Sequence, residues 1–231
     1  MKFTNHLLFL IVSILFLQSC STDTAIVIPP KNYKYLALGD SYTIGESVCE
    51  TCRYPVQLKD SIGKYLITND TFQVKIIATT GWTTTNLKSA IASENPTTDY
   101  DLVTLLIGVN NQYQHVSFSV YEQEFPELVT TAIQKAQGDK NNVIVVSIPD
   151  YAYTPFGVGN ATISAEIDSY NAFAENYCNA NHITFINITA ITRLGLVHPE
   201  LVASDGLHPS EVAYAKFVER ILPKARVKIA D

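Results

Sequence analysis

The chain has 231 residues, 47% of them apolar and 16% charged, which suits one globular domain with a full hydrophobic core and indicates neither disorder nor repeats. Its formal net charge is −6, and no run of Lys and Arg is clustered enough to neutralise phosphates, so a nucleic-acid partner is not expected.

The first twenty residues stand apart. MKFTNH carries one early positive charge, LLFLIVSILFL is an unbroken apolar run of eleven, and QSC closes it. Such a run is too short to cross a bilayer as a helix but has the length of a secretory signal core. Leu17, Ser19 and Cys20 resemble the lipobox of bacterial lipoproteins, with Gln18 an unusual occupant between them. That resemblance implies a signal peptide over residues 1–19 and lipidation of Cys20. The protein is then expected outside the cytoplasm, anchored by its N-terminal lipid to a membrane of the bacterial cell envelope. Residues 20–32, polar and then Pro-rich, suit an extended tether, which leaves residues 33–231 for the folded domain.

Within that domain, short β-rich runs alternate with segments of helical period. Strands are predicted at Tyr35–Leu38, Gln73–Ala78, Leu102–Ile107, Asn142–Ile148 and Ile183–Ile188. Helices are predicted at Pro55–Leu66, Thr85–Ser93, Val120–Gln137, Ile163–Ala180 and Ser210–Leu222, the last with Pro209 at its first turn. This alternation indicates βαβ units and a three-layer α/β/α fold around a five-stranded, mainly parallel sheet. In such sheets functional groups gather on the loops that leave the strand C-termini.

Cys49 and Cys52 form a CxxC, read as a local disulfide or free thiols; a redox motif lacks any other support. No second CxxC or His pair accompanies them, so no metal is expected. Cys178 and His182 read as a core position and a helix end.

The strand-end loops read Asp40-Ser41-Tyr42, Thr79-Thr80-Gly81-Trp82, Gly108-Val109-Asn110-Asn111 and Pro149-Asp150-Tyr151, and the region after the fifth strand leads to Asp205-Gly206-Leu207-His208-Pro209. The set GDSYTIG, TTGWTT, LLIGVNNQY and DGLHPS, in that order, resembles the four motif blocks of the SGNH hydrolases, also called the GDSL family of lipases and esterases. The likeness runs from about Tyr33 to about Leu222. It implies the flavodoxin-like SGNH fold, Ser41 as nucleophile, His208 as general base, Asp205 as its orienting acid, and an oxyanion hole built from Ser41, Gly81 and Asn110. The third block usually ends in Asp, whereas this chain has Asn111, a change expected to alter supporting hydrogen bonds.

Physical chemistry supports the same roles. A serine hydroxyl needs a base, and an imidazole with a pKa of about 6.5 can serve at neutral pH. Asp205 lies three residues before His208, close enough to fix its tautomer. Asp40 is assigned to structure, because the base already has a nearer acid. Trp82, Tyr113, Tyr151, Tyr153 and Phe156, on or near the same loops, are candidates for lining a substrate pocket. The expected protein is a serine esterase that needs no cofactor and acts on acyl or lysophospholipid-like esters. An O-acetylesterase acting on glycans is the alternative, and a non-catalytic envelope lipoprotein is a third reading.

Overall fold

The computed structural model describes residues 29–67 and 69–229. The proposed signal peptide, Cys20 and most of the tether lie outside the described residues.

Five strands form the sheet: β1 Asn32–Gly39, β2 Thr71–Ala78, β3 Leu102–Leu106, β4 Val143–Val146 and β5 Thr184–Ile186. The helices among the described residues are α1 Ser41–Ile44, α2 Tyr54–Gly63, α3 Thr84–Glu94, α4 Val109–Tyr113, α5 Phe118–Lys135, α6 Ala161–Asn181, α7 Thr189–Thr192 and α8 Glu211–Ile229. The strand order is β2-β1-β3-β4-β5 and every pairing is parallel. Sheet residues such as Leu36, Leu38, Val103, Leu105 and Val145 are buried whichever face they occupy, because helices cover both sides. Helices α2 and α8 pack together on one face, and α3, α5 and α6 lie in sequence across the other.

In this order the chain leaves β1 toward one edge and returns to the opposite side at β3. The C-terminal ends of β1 and β3 therefore border the topological switch point, where parallel sheets open a crevice. Ser41 follows β1 directly and Asn110 lies in the first turn after β3, so both residues stand at that crevice.

All five predicted strands and five predicted helices are present, with differences at their ends. Pro209 is not in the first turn of α8. It bridges to Val202, and Ser210 precedes the helix with its Oγ accepting from the Ala213 N–H at 3.3 Å. The same helix continues past the expected stop at Leu222. Pro223 is exposed, so a carbonyl freed by its missing N–H can be solvated, and the apolar stripe Ile221, Ala225, Ile229 carries on into the core. Cys178 is buried and unpaired, and His182 caps the end of α6 in a left-handed conformation.

Candidate active site

The nucleophile end begins with a constraint on Gly39. A Cβ there would fall 2.1 Å from Thr43 Oγ1 and 2.4 Å from the Leu106 carbonyl, so only glycine lets α1 fold back against the strand it follows. Asp40 caps that helix, its Oδ1 accepting from the Tyr42 N–H at 3.0 Å, and its fully buried Oδ2 has no hydrogen-bond partner among the described residues. Burial pushes the Asp40 carboxyl up to about 7, against the opposing hydrogen bond from the Tyr42 amide. Its role is to hold the turn; it does not face His208 as a partner. Ser41 is the first residue of α1, so its N–H has no acceptor within the helix, and its side chain lines a cavity of about 200 Å³.

Gly81 and Asn110 line the same cavity. Gly81 has φ +84°, and a Cβ there would meet nothing within 4 Å, so the residue is needed for its left-handed backbone and not for space. Its carbonyl accepts from Gln114 Nε2 at 2.7 Å. Asn110 Nδ2 donates one hydrogen to the Trp82 carbonyl at 3.0 Å, which orients the amide and leaves its second hydrogen for a ligand in the cavity.

The base end is a single turn. Asp205 Oδ1 accepts from the Leu207 and His208 N–H groups at 2.9 and 3.0 Å, while Oδ2 lies 2.6 Å from His208 Nδ1. A proton on Nδ1 leaves Nε2 as the free ring nitrogen. Burial opposes ionisation of Asp205. The hydrogen bonds from the His208 ring, Ser47 and the two amides outweigh it and hold the carboxyl well below the usual carboxylate range. The His208 ring packs at 5.1 Å from that of Tyr42 and lines the same cavity as Ser41. Among the described residues Ser41 Oγ and the imidazole are not hydrogen-bonded, though both line one cavity.

Asn111 has a specific environment. It is fully buried, its Oδ1 accepts from the Thr84 N–H at 3.0 Å, and its Nδ2 donates to Thr84 Oγ1 at 2.8 Å. That hydroxyl in turn donates to Glu124 Oε2 at 2.5 Å. With Glu124 supplying the carboxylate, an Asp at 111 would face the hydroxyl with a second acceptor; the amide completes the chain of donors.

Of the aromatic candidates, Tyr113, Tyr151 and Phe156 line the cavity and Trp82 and Tyr153 do not. Trp82 packs against the core and contributes its carbonyl to Asn110. Three contributors were not visible in the sequence: Gln114, Val109 and, above all, Ser47. Ser47 has a left-handed backbone at φ +65° and donates its hydroxyl to Asp205 Oδ2 at 2.7 Å. The loop that carries it is clipped by a disulfide between Cys49 and Cys52, and Glu46 beside it accepts from Thr80 next to Gly81. The arrangement can activate a serine, orient a base and hold a developing oxyanion. Among the described residues no group of His, Cys, Asp and Glu is placed to hold a metal ion.

Comparison with known proteins bears on the same chain of residues. The model of the GDSL-like lipase/acylhydrolase family matches residues 37–216. A lipase/acylhydrolase from Enterococcus faecalis superposes with a TM-score of 0.64 at 20% identity, over 85% of this chain and 96% of that one. A member of the lipolytic protein G-D-S-L family from Veillonella parvula gives 0.63 at 17% identity, over 83% and 97%. An acetylxylan esterase from Geobacillus stearothermophilus gives 0.59 at 17% identity, over 85% and 95%. At these identities the likeness is one of fold. The curated proteins gave no match.

Proposed function

The chain belongs to the GDSL-like lipase/acylhydrolase family, and from that premise we propose that it hydrolyses carboxylic esters through an acyl intermediate on Ser41. In this reading Ser41 Oγ attacks the ester carbonyl while His208 Nε2 takes its proton, and the Oδ2 of Asp205 stabilises the imidazolium through Nδ1. The Ser41 and Gly81 N–H groups and the Asn110 amide receive the oxyanion. The imidazolium then gives its proton to the departing alcohol. Water, deprotonated by the same nitrogen, attacks the acyl-serine, and collapse of that second tetrahedral species returns the proton to Ser41 and releases the acid.

The observation that carries the reading is one cavity lined by Ser41, Gly81, Asn110 and His208, with His208 already held by Asp205. A fluorophosphonate should label wild-type protein at Ser41 and fail to label Ser41→Ala. Wild type that stays unlabelled and turns over no ester would point to an inert scaffold instead.

Two acyl classes are open to such a site: longer acyl or lysophospholipid-like esters, and O-acetyl groups on glycans. The acetylxylan esterase among the structural neighbours and the modest volume of the cavity support the second. The location proposed for this chemistry is the outside of a bacterial cell membrane, with Cys20 carrying the lipid; residues 1–20 of the sequence support it. Globomycin-sensitive processing of the precursor would test that placement.

A further inference from the structure

Resting on the esterase reading, we infer that Tyr113, Tyr151 and Phe156 form a wall that ends the acyl site, so that the enzyme is selective for short acyl groups of up to about four carbons. The three rings form a closed triangle, with centroids 6.0 Å apart for Tyr113 and Tyr151, 6.1 Å for Tyr113 and Phe156, and 6.2 Å for Tyr151 and Phe156. All three line the catalytic cavity on one side. They also line a neighbouring cavity of about 300 Å³ on the other, so the rings are the partition between the two spaces.

The partition is fixed in place. Tyr151 is buried, and its hydroxyl donates to Gln112 Oε1 at 2.8 Å. The Phe156 N–H donates to the Gly206 carbonyl at 3.0 Å, which ties the ring's backbone to the turn that carries His208. Gly157 packs so closely on the Tyr151 carbonyl that a Cβ would fall 2.1 Å from it. Tyr113 ends the short helix that begins next to Asn110. The wall is thus built from the same elements as the oxyanion site and the base.

Volume and chemistry point the same way. At about 30 Å³ per water-sized group, the catalytic cavity holds roughly six or seven groups, and the reacting carboxyl carbon and its oxygens take about three of them. Beyond the rings polar side chains join the lining beside Ile163: Gln112 Nε2 donates to Glu166 Oε2 at 2.6 Å, and His115, Asn160 and Thr162 stand alongside. An alkyl chain forced past the wall would strip water from these polar groups without replacing their hydrogen bonds, which offsets what contact with Ile163 returns.

The test is the ratio of kcat/KM on p-nitrophenyl octanoate to that on p-nitrophenyl butyrate, in wild type and in the Tyr113→Ala/Phe156→Ala double variant. Both replaced rings are about half exposed, at 51% and 50%, so the core is left intact; a thermal melt checks this. A methylene that finds an apolar site gains about fourfold and one that does not gains nothing. Wild type should therefore turn over octanoate no better than butyrate, and opening the wall, by giving about two more methylenes an apolar contact, should raise the octanoate-to-butyrate ratio by about tenfold. Wild type that prefers octanoate, or a folded double variant with the wild-type ratio, would overturn the proposal. Absence of turnover on every ester, with Ser41 unlabelled by fluorophosphonate, would remove the esterase reading and the proposal together.

Discussion

Ser41 and His208 line one cavity, yet they are anchored in different ways. Ser41 is 3% exposed and follows β1, an interior strand of the sheet; its turn depends on a buried aspartate and on a glycine that admits no Cβ. His208 sits on a surface turn whose acid is three residues away and is steadied by two backbone N–H groups and one distant hydroxyl. The contrast teaches that damage at the first end should register as loss of fold, and damage at the second as loss of rate. The two aspartates make the same point electrostatically. Asp40 is pushed up by burial, whereas Asp205 is held down by its hydrogen bonds.

The sharpest way to break this contrast is Asp205→Asn. It should lower kcat by about 10³- to 10⁴-fold, because the imidazole loses its orienting carboxylate; the thermal midpoint should fall as well, since the hydrogen bonds of the ionised carboxyl also stabilise the fold, but the core stays intact and the variant folds. Steady-state kinetics beside a thermal melt would decide. The opposite pattern is expected of Gly39→Ala, whose methyl group has no space against Thr43 and Leu106. It should cost about 3 kcal/mol in urea unfolding, with activity per folded molecule retained to the extent that α1 still seats.

Asp40→Asn should separate the two carboxylates by pH. A folded-state value of about 7 against an ordinary 3.8 means the native state binds the proton more tightly. The contribution of Asp40 is then full below its unfolded value and is lost as pH rises through about 7, by up to about 4 kcal/mol. Asp205, shifted the other way, contributes above its ordinary value and loses that contribution as pH falls. Urea midpoints for wild type and Asp40→Asn at about pH 5 and about pH 8 should therefore show the variant gaining on wild type at the higher pH. An identical pH slope in both proteins would mean that Asp40 does not carry the shift.

The smallest effect is expected at Ser47→Gly, which keeps the left-handed backbone and removes only the hydroxyl on Asp205. A loss of about threefold to tenfold in kcat, larger than the small loss of stability accounts for when activity is taken per folded molecule, would place this hydrogen bond among the determinants of rate. No change at all would make the base turn self-sufficient.

Most of the architecture was legible because parallel strands buried on both faces read as compact apolar runs, and polar residues interrupt them where the chain reaches the crevice. Ser41 and Asn110 stand at such interruptions, yet each alone reads as a turn residue and His208 as a surface one; with Asp205 they became legible as a set, through the likeness of the four motif blocks to the GDSL family. Ser47 could not, since its partner is 158 positions away and a serine in a loop has no distinctive pattern. The environment of Asn111 was hidden for the same reason: its amide is matched to Glu124 through Thr84, three residues drawn from three helices. The aromatic candidates divided because sequence places a ring on a loop but not on one side of it. Tyr151 and Tyr153 share a single turn of 3-10 helix, and only Tyr151 faces the cavity.

The Asp205–His208 turn also has a meaning for inheritance. Acid and base are written within four consecutive codons, while the residues that serve Ser41 are scattered from Gly39 to Asn110. A genetic crossover between residues 114 and 150 would pass on Asp205 and His208 with the Phe156 segment as one unit, and Ser41 with Gly81 and Asn110 as another. Exchange between related genes can therefore graft a new base turn, together with the Phe156 segment bonded to it, onto an old serine loop, parting the Ser47 hydroxyl from Asp205.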